Sequence, residues 1–168
     1  CPTFLQRGDE CRLPQLSTIQ SVGSKTMDFN SPLAMKGRLT IAINDEVVQV
    51  VDNLVVTTGK GYVASRMKDA SATAMSHMAV GTGSTAAAAG DTALGSEAAR
   101  IALTSTTVSG ADVTYVATFG AGVGTAALTE AAILNASSSG TMLCRTVFPV
   151  VNKQSTDSMS VTWAVTAS

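Results

Sequence analysis

The clearest pattern in the chain is alternation. In "RLTIAIN", residues 38–44, Leu39, Ile41 and Ile43 face one way while Arg38, Thr40 and Asn44 face the other, the period of a half-buried strand. "NDE" at 44–46 is a turn signal, and "VVQVVDNLVV" returns as a second strand, so the two form a hairpin. "TTGKGYVASRMKDAS" changes period: Tyr62, Val63, Arg66 and Met67 stand at helical spacing, with Thr57 or Thr58 as N-cap. "MSHMAVGTG" reads as a strand running into a glycine turn. "SEAARIALTSTTVSGADVTYVATF" reads as two strands around Ser109-Gly110-Ala111-Asp112, with Val113, Tyr115, Ala117 and Phe119 opposed to Thr114, Val116 and Thr118. "GAGVGTAALTEAAILNASSSG" begins as a glycine-rich loop and closes in a short apolar segment around residues 128–134. "TMLCRTVFPV" and "SMSVTWAVT" make a closing pair of strands. In the second, Met159, Val161, Trp163 and Val165 point inward, and Ser160, Thr162 and Thr166 outward. Many short strands separated by turn signals predict a mainly β protein: an antiparallel β-sandwich, jelly-roll-like, with one short helix.

Residues 1–35 break this pattern. They carry Pro2, Pro14 and Pro32 and no sustained periodicity, so they read as an extended N-terminal arm before a β-sandwich domain over residues 36–168, with Met35 opening the first well-formed element. Phe4, Leu5, Leu13, Leu16 and Ile19 are apolar without a core of their own. They are candidate interface residues, because an ordered arm needs a surface to lie against, such as a neighbouring subunit.

Composition narrows the function classes. Charged residues make up 14% of the chain, against about 25% in an average soluble protein. Apolar residues reach 45%, but aromatics only 4%, which suits thin β layers rather than a helical bundle. With a net charge of −1 and no stripe of Lys and Arg, the chain lacks the footprint of a nucleic-acid binder. It has no run of 18 apolar residues to span a membrane and no signal-peptide h-region. Cys1 and Cys11 can close a small loop, although spacing alone leaves a disulfide between them open. Cys144, inside an apolar strand pattern, reads as a small buried hydrophobe. His77 is the single histidine, so no zinc set is available, and no metal or cofactor is expected.

The stretch "MAVGTGSTAAAAGDTALGSEAAR", residues 78–100, poses the sharpest chemical question. "GTGSTA" at 81–86 has the glycine content of a phosphate-cradling loop. A Walker loop requires Gly-Lys-Ser/Thr, yet no lysine lies between Lys68 and Lys153. A dinucleotide fingerprint requires a third glycine where Ala86 stands, opening a helix in a βαβ unit. The glycines are therefore expected to supply positive-φ turn positions. Asp91, Glu97 and Glu130 could form an acid–base pair. The simpler reading is that Asp91 caps a turn and that Glu97 or Glu130 begins a helical turn or pairs with Arg100 or Arg145. Glu97, Arg100 and Arg145 are also candidates for ion pairs between subunits. With no Gly-x-Ser-x-Gly elbow, no catalytic residue is assigned and the chain is expected not to be an enzyme.

The order "LVVTTGKGYVASRM", "MAVGTGSTAAAAGDTALGSEAAR", "VTYVATFGAG", "LTEAAILNASSSGTMLCRTVFPVVNK" and "SVTWAVT" resembles a group of tailed-bacteriophage virion structural proteins, often labelled tail-fibre-like. The resemblance covers roughly residues 37–167. Its most specific parts are "VGTG" followed by "DTALGSE", and "LTEA" leading to "GTMLCR". It implies a virion component whose glycine loop and Asp-Thr-Ala-Leu segment are structural. Two locations on the particle compete. A capsid decoration, or cement, protein would bridge capsomers through contacts to the major capsid protein and to copies of itself, as a homo-oligomer. A tail-fibre, adaptor or baseplate component would contact tail proteins or a host receptor through the glycine-rich loops at 81–91 and 120–127. Receptor tips carry exposed aromatic hot spots, whereas Phe119, Phe148 and Trp163 lie on strand faces that look inward, which favours decoration.

Overall fold

In the first strand, β1 (Met35–Ile43), Leu39 and Ile41 are wholly buried while Lys36 and Arg38 stay exposed, the burial that period-two alternation demands. Asn44 and Asp45 then take φ values of 47° and 70°. A two-residue hairpin turn of the type that matches strand twist needs this left-handed pair. The chain returns as β2 (Glu46–Val55), paired from Ile43↔Glu46 to Gly37↔Asn53 with one register shift between Ile41 and Ala42. The computed structural model describes residues 33–68 and 72–168.

One helix, α1 (Thr57–Lys68), follows and packs Tyr62 and Val63 against the core. Its cap differs from the sequence expectation. The Val56 carbonyl accepts the first helical bond, from Lys60 N, so Thr57 and Thr58 sit inside the helix. They are used tertiarily instead: Thr57 N donates to the Ala89 carbonyl, and Thr58 Oγ1 to the Met142 carbonyl.

The remaining strands are β3 (His77–Gly81), β4 (Glu97–Ala102), β5 (Ser105–Ser109), β6 (Asp112–Phe119), β7 (Ala126–Leu134), β8 (Met142–Lys153) and β9 (Met159–Ala167). They join β1 and β2 in one antiparallel sheet of order β4-β3-β7-β8-β2-β1-β9-β6-β5. The sheet curls into a half-barrel around a core that includes Leu39, Ile41, Phe119, Met78, Ile133 and Trp163. Between β2 and β8 only Leu54↔Arg145 and Val55↔Cys144 pair. That narrow join divides the sheet into a β4-β3-β7-β8 arm and a β2-β1-β9-β6-β5 arm. Among the described residues the chain is therefore mainly β, one curled antiparallel sheet with a single short helix.

Three local expectations need correction. Residues 96–109 are two strands, not one. At Leu103–Thr104 the chain steps between the two opposite edges of the sheet, as Leu103 N bonds the Ser76 carbonyl and Thr104 N the Val116 carbonyl. The apolar segment at 128–134 belongs to a full strand, β7. The closing strands β8 and β9 are not neighbours, because the link between them is anchored on the β1–β2 turn. There Asn44 exchanges backbone and side-chain hydrogen bonds with Ser158 and donates to Asp157 Oδ1. The arm residues Phe4, Leu5, Leu13, Leu16 and Ile19, and Cys1 and Cys11, lie outside the described residues.

Candidate functional site

The chemistry-bearing groups gather on the outer face of the β3-β7-β8 arm, and a register slip puts them there. Leu128, Ala131 and Ile133 of β7 all belong to the main core, which strict alternation from 128 to 131 forbids. Pairing with β8 shifts between Leu128 and Glu130. The irregularity reverses the parity, and Glu130, Ala132 and Leu134 then look outward. Pro149 lies in the same irregular stretch of β8, where an N–H for the ladder is dispensable. Ala132, Leu134, Ala79, Met142 and Val56 build a second small apolar floor, and Leu94 packs onto it from the 82–96 loop. The loop thus lies over this face as a strap.

Glu130 holds the strap. Its carboxylate is fully buried. Oε1 accepts from Gly83 N at 2.9 Å and Ser96 N at 2.7 Å; Oε2 accepts from Gly95 N at 2.9 Å. Arg145 completes the set, with Nε at 3.1 Å and Nη2 at 2.7 Å from Oε2. The guanidinium reaches on to Asp91 Oδ2 at 2.7 Å and to the Thr85 carbonyl at 3.0 Å. Asp91 closes its own turn by accepting from Ala88 N, and Thr129 Oγ1 donates to the Gly83 carbonyl. The glycine-rich loop does cradle an anion, and the anion is the protein's own Glu130.

The electrostatics follow. Burial pushes the Glu130 carboxyl upward, but the Ser96 and Gly95 N–H groups, Arg145 and Gly83 outweigh it and hold the group below the usual carboxylate range. Asp91 is held low by the Ala88 N–H and, against some desolvation, by Arg145. Burial works against the Arg145 charge, yet Glu130 and Asp91 raise its affinity for the proton. All three stay ionised at neutral pH, since every shift favours the charged form.

This geometry also explains the glycines. The expectation that Gly81 and Gly83 supply positive φ is overturned: the described glycines in that region are Gly110, Gly122, Gly124 and Gly140. Space is what Gly81 and Gly83 supply. A Cβ on Gly83 would stand 2.4 Å from Glu130 Oε1, and one on Gly81 2.3 Å from the Ser96 carbonyl oxygen. The loop backbone can approach the carboxylate only without side chains there.

Two further clamps use the same logic. Arg100 grips Glu97 through both carboxylate oxygens, at 3.0 and 2.6 Å. Its Nη1 donates to the Ala136 and Ser139 carbonyls of the β7–β8 turn. At the other end, Lys153 is buried, with Nζ on the Gly120 and Asp157 carbonyls at 2.9 and 2.8 Å. Lysine is rarely buried unless such partners surround it.

Of the residues singled out from sequence, Arg145 and Glu130 pair with each other, as do Arg100 and Glu97, all within the chain. Asp91 and Glu130 meet on one guanidinium, while Glu97 lies apart from both. With five hydrogen bonds donated to it and no exposure, Glu130 has no lone pair left for a substrate proton. His77 shares a 2.8 Å contact with Ser76 Oγ. Cys144 is a free, buried thiol whose proton affinity burial raises strongly. Among the described residues no group of three or more His, Cys, Asp or Glu could hold a metal ion, and no helix is long and apolar enough to cross a membrane.

The sequence offers Glu130–Arg145 as one of several Glu–Arg pairings, and a signal that singles it out is present. Glu130 in "LTEAAIL" and Arg145 in "MLCRTVF" are single opposite charges inside two apolar strands, and a charge so placed needs a buried partner. An apolar groove of about 390 Å³ lies elsewhere, between α1 and the β1–β2 pair, lined among others by Leu33, Met35, Leu54, Val63 and Met67. Comparison of the chain with protein-family models, with curated proteins and with solved structures finds no match.

Proposed function

We propose that the chain is a non-enzymatic structural protein of a tailed-bacteriophage virion, a capsid decoration protein that bridges capsomers by binding the major capsid protein and further copies of itself. The observation that carries this reading is the direction of its charges. Glu130, Arg145, Asp91, Arg100 and Lys153 all hold loops of the same chain, the work of a rigid building block. The outer face of the β2-β1-β9-β6-β5 arm presents mostly Thr, Ser, Ala and Val, with the cross-strand pair Arg38 and Asp52 at one end of a row. One row runs Ser105, Val116, Thr162, Thr40, Val50, and the next Thr107, Thr114, Ala164, Arg38, Asp52. Five strands at ~4.8 Å spacing make this face about 20 Å wide. It offers area rather than a cleft, and stable attachment needs interfaces of roughly 1,000 Å² or more.

In this reading the two arms of the curled sheet act as the two layers of a sandwich: one braced from outside by the strap, the other turned toward the capsid. The mechanism is mechanical: added interface area resists the pressure of packaged nucleic acid. Electron microscopy of purified particles tests it. Density for this chain over the capsomers, at dozens to hundreds of copies, is the expected result. A handful of copies at the tail vertex, or no copies in the particle, overturns it.

A further inference from the structure

The two edges of the sheet are protected unequally. β4 carries Glu97 and Arg100 locked in an ion pair, and its pairing with β3 is irregular at Val80/Gly81. Charges and irregular pairing are among the devices that stop an edge strand from recruiting another strand. β5 at the opposite edge has neither charges nor irregular pairing. Its sequence, Ser-Thr-Thr-Val-Ser, has no charge and no proline; all five residues are exposed, Val108 to 69%. It is also fixed in shape. A two-residue turn with Gly110 at φ 58° joins it to β6, and regular pairing runs from Ser109↔Asp112 to Ser105↔Val116.

We infer that β5 is a self-association edge, which pairs antiparallel with β5 of a second copy about a twofold axis through Thr107. Backbone geometry selects this register. The pair that closes a two-residue turn, Ser109 and Asp112, is hydrogen-bonded, so Thr107 and Ser105 also bond inward, while Thr106 and Val108 direct N–H and C=O outward. A twofold at Thr107 sets Thr106 opposite Val108 of the second copy and Val108 opposite its Thr106. Every outward group then meets an outward group, giving four backbone hydrogen bonds. Ser105 faces Ser109, Thr107 faces Thr107, and no charge opposes another. The exposed Val108 side chain gains a β-branched cross-strand neighbour. Isologous pairing of this kind closes at two copies.

The seam is short. Five residues a side fall below the area of a stable interface, so the dimer is weak when free and strengthens where copies are held close together. The inference shares with the proposed function only the expectation of self-association. It rests on the edge itself, and finding where the chain sits on a particle would not decide it.

Sedimentation of the full chain from about 1 µM to 1 mM tests it, alongside Thr107→Lys, Thr107→Glu and their equimolar mixture. Thr107 is exposed, and thermal melts of each variant check that folding is retained. We expect a wild-type monomer–dimer equilibrium. Each charged variant should dimerise at least about fivefold more weakly, since like charges then face each other across the axis. The Lys/Glu mixture should recover the dimer, and an uncharged Thr107→Ser variant should keep it. A wild type that stays monomeric throughout, a Thr107→Lys variant that associates like wild type, or a mixture no better than its components would overturn the proposal.

Discussion

The two arms of this sheet cover their outer faces in opposite ways. On the β4-β3-β7-β8 arm a strap of loop lies over a small apolar floor, tied down by a buried carboxylate and guanidinium. On the β2-β1-β9-β6-β5 arm no strap lies over the outer face among the described residues, and residues such as Thr40, Thr162 and Ala164 stay partly open to solvent. Both arms fill their concave side with the same core. The difference teaches where polar interactions are needed. A strap of 15 residues at 82–96 contributes little apolar burial beyond Leu94, so its backbone must be fixed by directed hydrogen bonds. A bare strand face is already fixed by its ladder and by the core beneath it.

Removing the centre of the clamp is the strongest way to break the contrast. Glu130→Ala leaves the buried Arg145 with one carboxylate, Asp91, besides the Thr85 carbonyl, and three strap N–H groups without an acceptor. Loss of one partner of a buried pair costs about 3–5 kcal/mol, readable as a fall in the urea midpoint with little change in slope. Arg145→Met should cost a similar amount, and the double variant Glu130→Ala with Arg145→Met clearly less than the sum of the two. Additive losses in that cycle would show that the two residues act separately, against the geometry described above.

The next effect down comes from backbone approach. Gly83→Ala places a methyl 2.4 Å from Glu130 Oε1, so either the carboxylate or the strap must shift. Overpacking of this kind costs about 1–3 kcal/mol. Gly90→Ala, in the same strap but with nothing within 4 Å of the added carbon, should change stability by less than about 0.5 kcal/mol. Equal melting points for the two variants would remove close approach as the reason for Gly83.

Acid opens the same clamp without a mutation. Glu130 and Asp91 are both held below their ordinary values in the folded chain. For a carboxyl depressed by folding, the stabilisation is complete above its unfolded value, about 4, and drains away as pH falls through the folded one. Arg145 stays charged throughout. Melting temperature should therefore fall more steeply below about pH 4 for wild type than for Glu130→Gln, which has one such group fewer. Parallel curves would mean that the buried carboxylate is not what titrates.

How much of this was legible in the sequence depends on the kind of contact. Alternation located β1, β6 and β9 with the correct faces inward, down to Trp163 and Phe119, because period-two burial is local. It did not reveal that 96–109 splits at Leu103–Thr104, since both pieces are β-forming and the step between edges is made by bonds to Ser76 and Val116. Nor did it separate β8 from β9, whose placement is set by the Asn44 anchor far away in the chain. The clamp was half legible. Asp91 as a turn cap and the Glu–Arg pairings follow from residue type, but the parity reversal that turns Glu130 outward depends on a pairing irregularity that one strand's sequence does not carry. The glycines of "GTG" suggest a special backbone conformation from residue type alone, whereas their role is clearance.

The smallest expected effect sharpens the contrast from the bare side. Thr162 and Thr40 face each other on the outer surface of β9 and β1, and a cross-strand pair of this type contributes only about 0.2–1 kcal/mol. Thr162→Ala should lower stability by no more than about 0.5 kcal/mol, because Val161 and Trp163 on either side remain seated in the core. The prediction has a use beyond its size. If the variant melts like wild type, any loss it causes in assembly measures contact made by the face, not damage to the fold. A cost well above 1 kcal/mol would mean instead that the hydroxyl rows brace this arm as the strap braces the other, and the two arms would differ in means rather than in need.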